Sequence, residues 1–317
     1  MITSKHTMLT IGTRSSALAR WQTDWALNRL RAAWPELVCE TKLFRTSGDK
    51  ILDKPLPEIG GKGLFTEELE NALRCGEIDI AVHSLKDLPI DNAAGLTVGA
   101  IGERGDPRDV LISRQYYTLA GLPQGARVGT SSLRRAAQLL AARPDLNIFS
   151  LRGNVDTRLR KATQGEYDAI VLAAAGVLRL GFSSHIISEY LSFDVMLPAP
   201  GQGAIAVQCR SDDQRTIDLL CLIDHAPTRS AVTAERAFLD GLGGGCSAPV
   251  AAYAQSAVSS QQSAIPQGRF AVSLTGLVAS TDGQRIIRVN DDGTDPLALG
   301  HELARRALAQ GARELLS

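Results

Sequence analysis

The segment Ile78-Asp79-Ile80-Ala81-Val82-His83-Ser84-Leu85-Lys86-Asp87-Leu88-Pro89 runs from almost unbroken apolar residues into abruptly polar ones. An apolar run of this kind reads as a strand buried on both faces, as in a parallel sheet covered by helices on either side. In open α/β sheets ligands bind beyond the carboxyl ends of the strands. His83, Ser84, Lys86 and Asp87 therefore stand where chemistry would be done. An isolated Lys-Asp pair before a proline reads as readily as a capped turn with a solvated neighbour, so other segments must decide.

Upstream, Met8 to Ile11 reads as a strand entering Gly12-Thr13-Arg14-Ser15-Ser16, with Ser15 or Ser16 capping a helix that carries Leu18, Trp21, Trp25 and Leu30 on one face. Pro35 stops that helix, and Leu37 to Phe44 alternates as a second strand. A second helix places Phe65, Leu69, Ala72 and Leu73 inward, and Gly76-Glu77-Ile78-Asp79 leads back to the opening strand. Residues 127–172 repeat this punctuation. Arg127-Val128-Gly129-Thr130-Ser131-Ser132 enters a helix over Leu133 to Ala142, Pro144-Asp145-Leu146 mirrors Pro35-Glu36-Leu37, and Gly165-Glu166-Tyr167-Asp168 leads into Ala169 to Leu172. A βαβαβ order met twice predicts two similar, periplasmic-binding-protein-like α/β lobes.

Two joints, Glu103 to Asp109 and Met196 to Gly203, separate the lobes, and the apolar run Ala204 to Val207 is read as rejoining the first sheet. A double crossing predicts a clamp with a hinge and a cleft. The remainder changes character: a helix from about Ser230 to Leu239, alternating runs at Val250 to Ala254, Phe270 to Val278 and Ile286 to Val289 with a turn at Asp282-Gly283, and a helix from Asp295-Pro296 to about Leu315. The expected architecture is thus a discontinuous first lobe (1-103 and 200-222), a second lobe (104-199) and a small C-terminal α+β domain (223-317).

Composition narrows the function. A chain of 317 residues exceeds one ordinary core. Formal net charge is zero, so neither nucleic acid nor an anionic membrane is indicated as a partner. No run of 18 apolar residues occurs, and Met1 to Met8 lacks a leader-type apolar stretch, from which a soluble, cytoplasmic protein is expected. The five cysteines include no C-x-x-C pair, so no disulfide framework and no metal site is expected. Arginine outnumbers lysine 27 to 7, and arginine grips carboxylate or phosphate through a planar fork.

Those arginines cluster at the two Gly-Thr-Ser turns, whose N–H groups and hydroxyls at a helix start make an anion site. Arg14 lies in the first turn, Arg134 and Arg135 follow the second, and Arg152 and Arg158 flank Gly153. Neither phosphate-loop pattern occurs in context; Gly60-Gly61-Lys62-Gly63 sits in a long stretch, Thr46 to Gly63, read as a mobile flap. Gly243-Gly244-Gly245-Cys246-Ser247 puts a thiol on an accessible loop, as a nucleophile needs and as a flexible turn with an incidental cysteine would also do.

Together, Ile11-Gly12-Thr13-Arg14, Gly60-Gly61-Lys62-Gly63-Leu64-Phe65, His83-Ser84-Leu85-Lys86-Asp87, Val128-Gly129-Thr130-Ser131-Ser132-Leu133-Arg134-Arg135, Leu151-Arg152-Gly153-Asn154, Pro200-Gly201-Gln202-Gly203-Ala204 and Gly244-Gly245-Cys246 resemble the porphobilinogen deaminase (hydroxymethylbilane synthase) family over nearly the whole chain. Asp156 and Leu178, beside the matched Arg158 and Arg179, are small departures. The resemblance implies a monomeric transferase that joins four porphobilinogen molecules with loss of ammonia, on a dipyrromethane cofactor held by a thioether to Cys246. It implies that Asp87 stabilises the cationic azafulvenium through a buried carboxylate. Ser84, Lys86, Ser132, Arg134, Arg135 and Gly153 are expected at the cofactor, and Arg14, Ser16, Lys62, Phe65, Arg152, Arg158 and Arg179 at the substrate. Phe65 reads equally well as core. The eight cations of this set are fewer than the carboxylates of six linked rings, so the growing chain or the lobes are expected to shift. A two-lobed, non-catalytic binder of a carboxylated solute is the alternative.

Overall fold

A computed structural model of the chain describes residues 8–46, 48, 66–243, 248–257 and 270–316. These fall into two compact units, one of residues 8–46, 48, 66–104 and 204–229, the other of 105–203, 230–243, 248–257 and 270–316. In chain order the first unit supplies β1 (Met8–Arg14), α1 (Ala17–Ala33), β2 (Val38–Phe44), α2 (Glu67–Arg74), β3 (Ile80–Ser84) and β4 (Leu96–Ile101). The second supplies β5 (Asp109–Ile112), β6 (Arg127–Gly129), α3 (Leu133–Ala142), β7 (Asn147–Phe149), α4 (Val155–Thr163), β8 (Ala169–Ala173), α5 (Ala174–Arg179) and β9 (Glu189–Tyr190). β10 (Ile205–Arg210) and α6 (Gln214–Leu220) return to the first unit, and α7 (Ala226–Gly241) leaves it again.

The two sheets have matching strand orders, β2-β1-β3-β10-β4 and β7-β6-β8-β5-β9. In each, the first three strands are parallel and the fourth, arriving from across the joint, is antiparallel. The return of Ala204 to Val207 to the first sheet is therefore as read from sequence: Ala206 pairs with His83 and Val207 with Val82. Both faces of the first sheet are covered. Leu27 and Leu30 of α1 and Leu219 and Leu220 of α6 pack with Ile11, Val82 and Val207 on one side, while Leu69, Ala72 and Leu73 of α2 meet Ile78 and Ala81 on the other. Double coverage explains why the opening strand carries no polar residue before His83.

Sequence expectations for the helices need correction. The sheet-facing stripe of α1 is Ala19, Gln22, Thr23, Ala26, Leu27 and Leu30, and Trp21 is exposed. Small residues allow close approach to the sheet, and Thr23 is satisfied within the helix, its Oγ1 donating to the Ala19 carbonyl at 3.1 Å. The last helix stops at Ala309, with Gln310 as its cap, before a short second helix, Ala312–Leu316. Its start is as read: Asp295 accepts from the Leu297 and Ala298 N–H groups ahead of Pro296.

The C-terminal sheet is β11 (Val250–Ala257), β12 (Ala271–Ala279) and β13 (Ile286–Gly293), antiparallel in that order, with the hairpin turn where Asp282-Gly283 predicts it. α7 begins at Ala226, earlier than expected. The sheet docks on the second lobe through Ala137, Leu197, Ala251, Leu277 and Ala279, with the Phe193 and Tyr253 rings stacked 4.1 Å apart beside them.

Candidate active site

In the first unit, the parallel strands β1 and β3 end together, and the polar residues predicted from the opening segment follow them. Ser16 caps α1, its Oγ accepting from the Ala19 N–H at 3.3 Å. Gln22, on the next turn of the helix, donates through Nε2 to Ser84 Oγ at 2.8 Å, fixing the end of β3. A single 3-10 turn, Leu85–Asp87, follows, anchored by buried Leu85. Lys86 and Arg14 are half-buried, but Asp87 is exposed, and its carboxylate takes no hydrogen bond or ion pair from any described residue. The expected burial of this carboxylate is thus corrected: it stands open at the end of a turn anchored by Leu85.

His83, one residue inside the strand, is buried, and its Nε2 has no hydrogen-bond partner among the described residues. Burial, reinforced by the nearby Arg14 guanidinium, pushes its pKa down to about 4. The Gln208 amide works the other way, though the two side chains do not meet in a hydrogen bond. The imidazole is neutral at physiological pH.

In the second unit the corresponding ends belong to β6, β7 and β8. Ser131 Oγ donates to the Leu151 carbonyl at 2.8 Å and accepts from the Leu151 N–H at 3.0 Å, which ties the Gly-Thr-Ser turn to the Arg152-Gly153 loop. Ser132 caps α3 through the Arg135 N–H. Gly153 has φ +112°, and a Cβ there would press on Thr157 at 2.8 Å, so the loop is shaped for glycine. Arg158 folds back, donating through Nε to the Gly153 carbonyl at 2.7 Å, and Arg152 is half-buried beside it. Arg179, its pKa pushed down to about 10 by burial, donates to the Gly203 carbonyl at 2.6 Å.

Arg134 and Arg135 are buried and turn toward Asp109, which is wholly buried at the start of β5. Arg135 engages all three nitrogens: Nε and Nη2 donate to Asp109 Oδ1 at 3.1 and 2.7 Å, and Nη1 to the Val171 carbonyl at 3.1 Å. Arg134 uses only Nη1, which donates to Asp109 Oδ2 at 2.8 Å and to the Leu197 carbonyl at 2.7 Å. Gln202 adds a bond from Nε2 to Asp109 Oδ1 at 3.0 Å. Burial by itself would raise the Asp109 pKa, but the two guanidiniums hold it well below the usual carboxylate range.

Two family models cover the chain: residues 9–218 match the "Porphobilinogen deaminase, dipyromethane cofactor binding domain" and residues 230–309 the "Porphobilinogen deaminase, C-terminal domain". The chain belongs to the porphobilinogen deaminase family. Similar curated relatives include the porphobilinogen deaminase of Brevibacillus brevis, 50% identical over 97% of this chain and 96% of that one, and that of Moorella thermoacetica, 51% identical over 96% and 95%. Among solved structures, the periplasmic VFT2 domain of Bordetella pertussis BvgS gives a TM-score of 0.42 at 16% identity, covering 69% of this chain and 88% of that one, a distant likeness only. Membership makes the chain a transferase, a hydroxymethylbilane synthase of tetrapyrrole biosynthesis with a dipyrromethane cofactor. The binding-protein alternative is not favoured.

The Arg134 edge formed by Nε and Nη2 has no partner among the described residues although Arg134 is 5% exposed, and a planar guanidinium fork of this kind fits a carboxylate. Lys62, Phe65 and Cys246, with most of the Thr46 to Gly63 stretch, lie outside the described residues. Sequence reading missed Asp109 as the partner of both arginines and Gln22 as the support of Ser84. The one signal for Asp109 was an acid opening the otherwise apolar run Asp109-Val110-Leu111-Ile112.

Proposed function

We propose that this porphobilinogen deaminase divides its work between the two sets of strand ends. Asp87 stabilises the positive charge that develops on the substrate as ammonia leaves, and Lys86 and Arg14 hold substrate carboxylates next to it. Arg134, with Arg152, Arg158 and Arg179, receives the carboxylates of primer and growing chain. When bound, the dipyrromethane supplies the nucleophilic pyrrole carbon on which the chain is extended, and Cys246 is its anchor. The observation that carries this reading is the open Asp87 carboxylate at the end of a buried strand, on a turn anchored by buried Leu85 and preceded by Ser84, which Gln22 holds.

The three-part division given by the sequence, with the cysteine loop on the C-terminal domain, belongs to the same reading, as do a cytoplasmic monomer and the absence of a nucleic-acid partner. No helix among the described residues is long and apolar enough to cross a membrane. Intact-mass measurement tests the anchor: the protein should exceed its polypeptide mass by two linked pyrrole units, gain further units stepwise with porphobilinogen, and lose all of them in Cys246→Ala. A fully active protein of bare polypeptide mass, or a modified Cys246→Ala protein, would overturn the assignment.

A further inference from the structure

We infer that Asp109 is a positioning residue for the reaction, holding Arg134 so that the Nε/Nη2 edge of its guanidinium meets a carboxylate of primer or growing chain; the inference rests on Arg134 being a ligand-binding residue. Two adjacent buried arginines facing one aspartate would ordinarily be read as a structural ion cluster. Here Arg135 is held at every nitrogen, whereas Arg134 is held at Nη1 alone.

The geometry at Nη1 is sufficient to fix the group. Its bonds to Asp109 Oδ2 at 2.8 Å and to the Leu197 carbonyl at 2.7 Å diverge from one planar nitrogen, so together they set the plane of the guanidinium. In that plane Nε–H and Nη2–H form the edge on the other side, the fork that accepts a carboxylate through two parallel hydrogen bonds. Neither atom has a partner among the described residues. Charge points the same way: Asp109 neutralises one of the two guanidiniums, and the remaining positive charge, almost fully desolvated, favours an anion. Gln202 donates to the same Asp109 oxygen as Arg135, which leaves Oδ2 to Arg134.

The test uses the full-length protein with Asp109→Glu, Arg134→Gln and the double variant, and compares the fraction carrying the primer mass, KM and kcat for porphobilinogen, and Tm. Asp109→Asn removes the anion from two buried arginines and so tests folding as much as position. Asp109→Glu keeps the charge and displaces it by one methylene, a shift of about 1 Å, which can cost a positioned group one to two orders of magnitude. Asp109→Glu is expected to lower the loaded fraction and raise KM at least about tenfold, with kcat of the loaded fraction changed less. The double variant should load primer and bind porphobilinogen no worse than Arg134→Gln alone, because Asp109 acts on the ligand through Arg134, while its hold on Arg135 and Gln202 is read in Tm. Folded Asp109→Glu protein with loading and KM within about twofold of the parent, beside an impaired Arg134→Gln, would overturn the inference while leaving the ligand role of Arg134 intact. Losses that multiply in the double variant would do the same. Normal loading and kinetics in Arg134→Gln would remove both.

Discussion

At the residue scale, Asp87 and His83 are neighbours with opposite situations. Asp87 is open and held only by its backbone turn, so replacing it should disturb chemistry and leave the fold intact. Asp87→Asn is expected to lower turnover by at least about a hundredfold, roughly 2.7 kcal/mol of transition-state stabilisation, with Tm unchanged. Wild-type turnover in that variant would exclude Asp87 from the mechanism. His83 is buried and neutral, with a folded pKa of about 4 against an ordinary 6.5. The unfolded chain therefore binds the proton first as pH falls. Stability present above pH 6.5 should drain away toward about pH 4, by on the order of 3 kcal/mol at most. Urea unfolding at pH 7 and at pH 5 checks this: His83→Gln should lose less stability between the two than the parent does, and equal losses would assign the window to other groups.

At the element scale, the joint near Gly203 shows how tightly the crossings are built. Gly203 has φ +88°, and its carbonyl accepts from the Gly105 N–H at 3.1 Å and from Arg179 at 2.6 Å. A Cβ at this position would lie 2.7 Å from the Gly105 carbonyl oxygen, which is backbone and cannot swing away. Gly203→Ala combines a disfavoured backbone region with a clash and is expected to cost about 2 kcal/mol or more, read as a lower urea midpoint at an unchanged m-value. A midpoint equal to the parent's would mean that the joint relaxes freely. The helices were mostly legible because caps and breakers are local signals: Asp295-Pro296, Pro35 and the serines of the Gly-Thr-Ser turns all act where the sequence places them. The face of α1 was not, since its choice of Ala19 and Ala26 over Trp21 depends on how closely the sheet approaches.

At the scale of the whole molecule, Glu235 shows how separate segments of the second unit become one body. Buried within α7, it accepts from the Gly201 N–H through Oε2 and from the Ala254 N–H through Oε1, both at 2.7 Å, joining the segment after the second lobe to the first strand of the C-terminal sheet. Glu235→Gln sets an amide NH2 against one of those N–H donors, for a cost of about 1 to 3 kcal/mol. Tm should fall by about 2 to 4 °C per kcal/mol in a unit of this size, and an unchanged Tm would show that the carboxylate does not join these segments. Sequence alone determined the repeated α/β lobes, the return of β10 to the first sheet, the C-terminal hairpin and the family, because apolar periodicity, turn residues and motifs are written locally along the chain. Only the tertiary structure decided which charges face one another. Asp109 lies 25 residues before Arg134 and 93 before Gln202, and nothing in the spacing of three polar residues says that one buried carboxylate will hold all of them; that follows from packing, which leaves each buried charge no stable place except beside its partner.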